Sequence, residues 1–128
     1  FRKLFNYISG GNQKEQKIEM TTPVTRIKKN GNMTMQFYLP KIFDKNNVPT
    51  PIRQDVKIVT IKGGHYAVLR YSGRTSESNF IKHKDILEKE LLKDDISIIS
   101  PPIKATYDSP FTLPVNRRNE VMFVIDPN

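Results

Sequence analysis

Two adjacent arginines followed by a glutamate are the residues of this chain best suited to bind an anion. Arg117 and Arg118 precede Glu120 at the entry to a predicted last strand, where successive side chains point to opposite faces. One guanidinium is then free to meet a bound carboxylate in a bidentate manner, while the other pairs with Glu120 or caps backbone carbonyls. A purely structural Arg–Glu pair is the alternative. Phe111 and Leu113 add apolar side chains on the same loop, as an amphipathic ligand requires.

The two histidines are the candidate metal ligands. His65 begins a predicted strand beside Gly64, where a solvated position is expected. His83 lies on the flank of a predicted helix between Lys82 and Lys84, and neighbouring cations favour the neutral imidazole that ligates iron. The alternative for His83 is a boundary residue that partly covers the apolar stripe of its helix.

The remaining polar residues have no spacing typical of a catalytic site. No carboxylate pair has a spacing typical of acid–base catalysis, and no serine lies in a nucleophile elbow. Gly10-Gly11 and Gly63-Gly64 belong to predicted turns and do not open a helix as a phosphate-binding loop does. We therefore predict a protein that is not an enzyme.

The composition favours an acidic small ligand. The net charge is +8, from 21 Lys and Arg against 13 Asp and Glu, which suits phosphate, carboxylate or anionic lipid. The basic residues form no block and no stripe with aromatics, so nucleic acid is not the expected partner. No apolar run approaches the roughly 20 residues of a membrane span. Cysteine is absent, which excludes disulfides and thiolate sites and leaves the compartment and oligomeric state undetermined.

The first half of the chain reads as a helix end followed by a hairpin. Apolar residues at Phe1, Leu4, Phe5 and Ile8 have helical spacing, and Gly10-Gly11-Asn12 stops the helix. Extended segments follow over residues 17–24 and 27–29, then a turn at 30–32 and a strand whose apolar face carries Met33, Met35, Phe37 and Leu39. Residues 41–53 are a predicted proline-containing loop.

The second half repeats this order. A hairpin is predicted from a strand with Val56 and Ile58, the Gly63-Gly64 turn and a strand over residues 65–71. A helix capped by Ser76 or Ser78 runs to about Lys93, with a buried stripe of Phe80, Leu87 and Leu91. Strands at 96–99, 103–107 and 120–125 complete the chain.

Length and element order predict one α+β domain over residues 1–128. Because a helix followed by antiparallel strands occurs twice, we expect two pseudo-repeats that form a distorted antiparallel barrel or sheet with two packed helices. The chain begins at Phe1 within a predicted helix, so a native N-terminal strand is expected to be missing. A flat apolar ligand is expected on the concave face or between helix and sheet.

Four blocks of the chain resemble the SOUL heme-binding protein family. They are Tyr7-Ile8-Ser9-Gly10-Gly11-Asn12 at the end of the first helix, Lys17-Ile18-Glu19-Met20-Thr21-Thr22-Pro23-Val24, Phe37 to Pro40, and the closing block from Tyr107 to Val121. Met122 stands where the family often has tryptophan. The resemblance implies a fold shared with bacterial effector-binding domains and a heme or tetrapyrrole ligand.

The resemblance also implies a heme site. By position it nominates Phe1, Arg2, Lys3, Phe5 and Asn6 on the first helix, and Phe111, Thr112, Leu113 and Arg117 on the closing loop. Asn6 and Thr112 replace lysines that some relatives carry as propionate partners. The prediction is a binder that holds heme by apolar contacts and by basic side chains to the propionates. An effector-binding or protein-interaction module of the same fold, without heme, is the alternative.

Overall fold

The computed structural model describes residues 2–61, 63–108 and 112–127, and these form an α+β structure as predicted. In chain order the elements are α1 (Arg2–Ile8), β1 (Val24–Lys29), β2 (Asn32–Phe37), β3 (His65–Tyr71), α2 (Glu77–Lys93), β4 (Ser97–Ile98), β5 (Ile103–Thr106), a 3-10 turn (Pro114–Asn116) and β6 (Asn119–Asp126). No helix in these described ranges has the length and apolar character needed to cross a membrane.

A six-stranded antiparallel sheet organises these elements. Its order is β2-β1-β5-β6-β3, with β4 also paired to β6, and it remains an open sheet. The eight-residue β6 pairs with β3, β4 and β5, so it is the most central strand. Val121 and Phe123 are consequently 0% and 2% exposed. Asn30 and Gly31, with φ of 53° and 82°, form the predicted turn between β1 and β2.

The described residues fall into two compact units, one comprising Phe1–Thr22 and Gln36–Lys62, the other Pro23–Met35 and Gly63–Asn128. In the second unit α2 packs on β3 and β6. The core of this unit consists of Tyr71, Phe80, Leu87, Leu91, Val121 and Phe123. The predicted stripe of α2 is therefore buried as expected. Ser76 is the N-cap, and its side chain accepts a hydrogen bond from the Asn79 backbone N–H at 3.2 Å.

The first unit has its own apolar core. Its buried members are Tyr7, Ile8, Ile18 and Val56, with Leu4, Phe37, Leu39 and Phe43 packed against them. The Tyr7 hydroxyl donates to the carbonyl of Pro49 at 2.7 Å, which ties α1 to the proline-containing loop. This loop contains no helix or strand, as predicted, and only the isolated bridge between Asn12 and Pro51 gives it sheet-like pairing.

One strand prediction was wrong. Residues 55–61 contain no strand, so the predicted hairpin with β3 is not formed. Val56 instead enters the core of the first unit, and β3 pairs with the distant β6 along its whole length. The predicted apolar face of β2 is formed in part, because Phe37 and Leu39 pack against the core of the first unit whereas Met33 is 58% exposed. Near Val56, tertiary packing overrides local alternation.

Candidate functional site

Asn12 shapes the loop that follows α1. Gly10 has a φ of 113°, the left-handed conformation that ends the helix and that glycine adopts most readily. The fully buried Asn12 side chain then donates to the carbonyls of Tyr7 at 3.1 Å and Gln16 at 2.8 Å. Its Oδ1 accepts the backbone N–H groups of Lys14 at 3.2 Å and Gln16 at 3.1 Å. These four bonds fold residues 12–16 into a compact reversal.

The reversal returns the chain along α1. Lys17 forms an antiparallel bridge with Ser9, and the Ile18 N–H donates to the Ile8 carbonyl at 2.8 Å. Ile18 is 6% exposed and belongs to the core of the first unit, whereas Met20 is 46% exposed. The segment over residues 17–20 therefore forms one wall beside the helix.

A groove of about 450 Å³ lies between this wall and α1, and we call it the α1 groove. It is lined by Phe5, Ile8, Ser9, Lys17, Ile18 and Met20. Four of these six side chains are apolar, and Lys17 supplies the one charged group of the lining. The volume falls within the range of about 300–1,000 Å³ of small-molecule sites. The α1 groove can thus hold an apolar body with an anionic substituent.

Gly11 allows Asn6 to fold against this loop. A Cβ at Gly11 would lie 2.2 Å from Asn6 Oδ1 and 2.7 Å from the Asn6 carbonyl oxygen, distances that no side chain tolerates. The Gly11 N–H also donates to that carbonyl at 2.9 Å. Gly11 therefore accommodates Asn6, whose side chain is directed at the helix end.

The basic candidates on α1 are both exposed, and Lys3 already has a carboxylate partner. Lys3 Nζ lies 3.0 Å from Asp55 Oδ2, and Arg53 Nε lies 3.0 Å from Asp55 Oδ1. The hydrogen bonds from Arg53 and then Lys3 hold the pKa of Asp55 well below its usual range. Of the described α1 candidates, Phe5 lines the α1 groove, while Arg2, Lys3 and Asn6 do not. Phe1 lies outside the described residues.

Arg118 is the structural arginine of the closing block. Its Nη2 lies 2.9 Å from Glu120 Oε2, and its guanidinium stacks 4.1 Å from the centre of the Tyr107 ring. The Tyr107 hydroxyl donates to Glu120 Oε1 at 2.5 Å, and the Arg118 backbone N–H donates to the Asp108 carboxylate. The predicted Arg–Glu pair is confirmed. Asp108 and Arg118 are thereby linked across ten residues of the closing block.

Glu120→Gln is expected to lower the free energy of unfolding by about 1–2 kcal/mol, because hydrogen bonds to a buried charged group contribute more than neutral ones. The Glu120 side chain is only 8% exposed. Urea unfolding measures the change, and Glu19→Gln, at an exposed position, is the charge-matched control. Equal stability of the two variants would contradict a structural role for the Arg118–Glu120 pair.

The remaining closing-loop candidates surround a 3-10 turn that the sequence did not predict. Leu113 precedes Pro114–Asn116 and is 64% exposed, and the partly buried Arg117 follows it, with its N–H donating to the Pro114 carbonyl at 3.2 Å. Thr112 is partly buried, and Phe111 lies outside the described residues. Val115, at 76% exposure, is an apolar residue of this loop that sequence reasoning missed.

His83 lies on α2, and two contacts hold its ring, one with Asn79 on the same helix and one with Tyr71 on β3. Its Nδ1 lies 2.7 Å from the Asn79 carbonyl oxygen, and its ring stacks on Tyr71 at 4.1 Å with an interplanar angle of 7°. Burial, aided by Glu77, raises the pKa of Tyr71 to about 12. Within the described ranges no group of three His, Asp or Glu residues could hold a metal ion. A single bond from His83 to iron stays a prediction.

A second cleft, of about 620 Å³, has the opposite charge. It lies between α2 and β4 and is lined by Asp85, Glu88, Lys89, Leu92, Asp95, Ile96, Ser97 and Ile98. Three carboxylates against one lysine would repel an anionic ligand. The α1 groove is therefore the better candidate for the acidic ligand that the composition favours.

Sequence reasoning found Phe5 but missed the other five residues that line the α1 groove. Lys17, Ile18 and Met20 stood within a recognised sequence block and were assigned only to an extended segment. The apolar pair Ile18 and Met20 was the available signal, since residues two apart in an extended chain share a face.

Comparisons with known proteins agree with this block pattern. The SOUL heme-binding protein profile matches residues 1–124. Human heme-binding protein 2 is 32% identical over 136 residues, and the mouse heme-binding protein 2 is 29% identical over 134 residues. Each alignment covers 97% of this chain, which spans 63% of the length of either relative. The chain thus belongs to the SOUL heme-binding protein family.

Proposed function

We propose that this protein binds heme or a related tetrapyrrole without transforming it, and that the α1 groove is the binding site. The observation that carries the proposal is an apolar groove with one cation at its wall, Lys17. The macrocycle would contact Phe5, Ile18 and Met20, and Lys17 would meet a propionate. The family and the names of both relatives support heme as the ligand.

The chemistry of the lining fits such a ligand. A tetrapyrrole is a flat apolar ring with carboxylates at one edge, and burial of its ring provides the main driving force. Lys17 is exposed, and an ammonium group donates up to three hydrogen bonds to carboxylates. Bound heme would add an iron centre and a strongly absorbing macrocycle.

Binding without catalysis is favoured by the same residues. The six side chains of the lining include no histidine, carboxylate, tyrosine or cysteine, and Lys17 is the one titratable group among them. Ser9 has no histidine or carboxylate in the lining to activate its hydroxyl. The groove is suited to holding a ligand.

The closing loop belongs to the second compact unit and is a separate proposal, supported by the family resemblance. Leu113 offers an exposed apolar side chain, and Arg117 offers a guanidinium suited to bidentate carboxylate recognition. Arg118 is bound to Glu120. Arg117→Ala therefore tests the loop, whereas Arg118→Ala would chiefly test folding.

Hemin titration of the full chain is expected to give a saturable Soret shift at micromolar ligand. Lys17→Ala should weaken binding by about fivefold, because an exposed charge pair contributes up to about 1 kcal/mol. The loss should shrink at high salt, which screens exposed charges. Arg117→Ala tests the closing loop separately, and a loss of hemin affinity in this variant would support a contact there.

Lys29→Ala is the matched control, since Lys29 is an exposed lysine of β1 outside the groove lining. Equal losses from Lys17→Ala and Lys29→Ala would refute the α1 groove as the site. Absence of any saturable shift in the wild type would refute heme binding and favour an effector-binding or protein-interaction module.

A further inference from the structure

We propose that Asn30 is a site of spontaneous deamidation, which converts the turn between β1 and β2 into an aspartyl or isoaspartyl link. The proposal goes beyond tetrapyrrole binding, because it concerns a covalent change of the chain itself. Asn30 and Gly31 are the two residues between the strands, with φ of 53° and 82°. Both are exposed, so the site is the tip of a hairpin.

The residue that follows Asn30 distinguishes it from the other asparagines. Deamidation begins when the backbone nitrogen of the following residue attacks the side-chain amide carbon. A Cβ on that following residue shields its nitrogen, and glycine has no Cβ. Of the ten asparagines in the sequence, only Asn30 precedes a glycine.

The Asn30 side chain is also unrestrained. Among the described residues, no hydrogen bond holds its amide, and a Cβ at Gly31 would meet no atom within 4 Å. Asn12, Asn79 and Asn119 each donate from Nδ2 to a backbone carbonyl. Those bonds fix the three amides, whereas the Asn30 amide can rotate toward the Gly31 nitrogen.

The charge around the turn favours the reaction. The Gly31 nitrogen must lose its proton before it attacks, and the amide oxygen gains negative charge as the new bond forms. Lys28 and Lys29 immediately precede the turn and are exposed. Nearby positive charges stabilise a developing anion, and the net charge of +8 acts in the same direction.

The chemistry consumes one water and releases one ammonia. A bond forms between the Gly31 nitrogen and Asn30 Cγ, the Cγ–Nδ2 bond breaks, and ammonia leaves a cyclic imide. Water then opens the imide. Attack at Cγ gives aspartate, and attack at the backbone carbonyl carbon gives isoaspartate, in which the chain runs through Cγ. Both products add one negative charge, and isoaspartate adds a methylene to the backbone.

The longer backbone of isoaspartate has a structural consequence for β2. This strand lies at one end of the sheet order and pairs there with β1. A two-residue turn with positive φ at both residues matches the twist of its strands, and an added backbone atom disturbs that match. Isoaspartate formation should therefore loosen the pairing of β2 with β1.

The experiment incubates the folded full chain at mildly alkaline pH, digests it and analyses the peptides by mass spectrometry. The peptide that contains Asn30 should gain one mass unit with time. In water labelled with heavy oxygen it should gain three mass units, because one oxygen atom comes from the solvent. Fragment ions separate Asn30 from Asn32 and isoaspartate from aspartate. The rate should rise with pH, since the Gly31 nitrogen must lose its proton.

Gly31→Ala should slow the reaction by about tenfold or more, as a barrier rise of about 1.4 kcal/mol does. The added methyl has room, although the positive φ favours glycine. Gly63→Ala is the matched control, because a Cβ there also meets no atom within 4 Å and Gly63 follows a lysine. It should react at the wild-type rate, and circular dichroism verifies that both variants are folded.

Asn30→Asp separates the new charge from the new backbone, since it carries the carboxylate on an ordinary chain. Hydrogen exchange of the β2 amides should be faster in the isoaspartyl form than in the unmodified protein, and unchanged in Asn30→Asp. Equal exchange in all three forms would contradict the structural consequence assigned to isoaspartate.

Three results would overturn Asn30 as the site. They are an earlier mass gain at another asparagine, equal rates in the wild type and Gly31→Ala, and no mass gain in the folded chain while a peptide of residues 24–37 deamidates. The last result would show that the folded turn protects Asn30. None of these measurements involves hemin, so failure of this inference and failure of the proposed function are distinguishable.

Discussion

Asn12→Ala is expected to lower the free energy of unfolding by about 2–6 kcal/mol, since four hydrogen bonds of about 0.5–1.5 kcal/mol each are lost at once. The fully buried Asn12 side chain bonds two carbonyls and two N–H groups of the reversal after α1. Its loss should also release residues 17–20 from α1, so hemin affinity should fall with stability. Urea unfolding and Soret titration measure the two effects.

Asn12→Asp provides an isosteric comparison. It retains the oxygen that accepts the backbone N–H groups of Lys14 and Gln16. It places a second oxygen against the carbonyl oxygens of Tyr7 and Gln16, so we expect a loss of stability close to that of Asn12→Ala. Asn47→Ala is the control, because Asn47 makes its hydrogen bonds at an exposed position. A stability change of Asn12→Ala no larger than that of Asn47→Ala would contradict the role assigned to Asn12.

Phe123→Ala is expected to lower the free energy of unfolding by about 3–5 kcal/mol, through lost apolar burial and the cavity left behind. Phe123 is 2% exposed on the central strand β6 and packs in the cluster that contains Tyr71, Phe80 and Val121. Chemical denaturation measures the change. An unchanged far-ultraviolet circular dichroism spectrum verifies that the variant is folded.

Phe123→Leu should have a smaller effect, because leucine fills part of the same volume. Phe5→Ala is the contrasting phenylalanine variant, since Phe5 is 49% exposed and lines the α1 groove. It should cost less stability than Phe123→Ala while weakening tetrapyrrole binding. The reverse order of stability losses would contradict the assignment of Phe123 to the core and Phe5 to the groove.

Local patterns predicted much of the fold. The limits of α2, its Ser76 cap and its buried stripe follow from 3.6-residue spacing and capping chemistry, which act within a few residues. The β1–β2 turn follows from Asn30 and Gly31, which tolerate positive φ. The strand expected near Val56 does not form, because a short alternating segment does not determine which strand it pairs with. Val56 packs in the core of the first unit instead.

The candidate site was less predictable than the fold. Phe5, which the resemblance nominated as a heme contact, lines the α1 groove. Lys17 and Met20 were not nominated, because the wall they form depends on the buried Asn12 returning the chain along α1. Arg117 and Arg118 were equivalent in the sequence. The contacts with Glu120 and Tyr107 assigned the structural role to Arg118.

The sequence by itself determined the family, the α+β class, the long helix and the anionic character expected of a ligand, because these depend on residue types and on spacings within one element. Tertiary structure alone decided that β3 pairs with β6, that Lys3 is bound to Asp55, and that residues 17–20 line a groove with α1. Those features join residues distant in the chain, and their energies arise only when packing and hydrogen bonding bring the partners together.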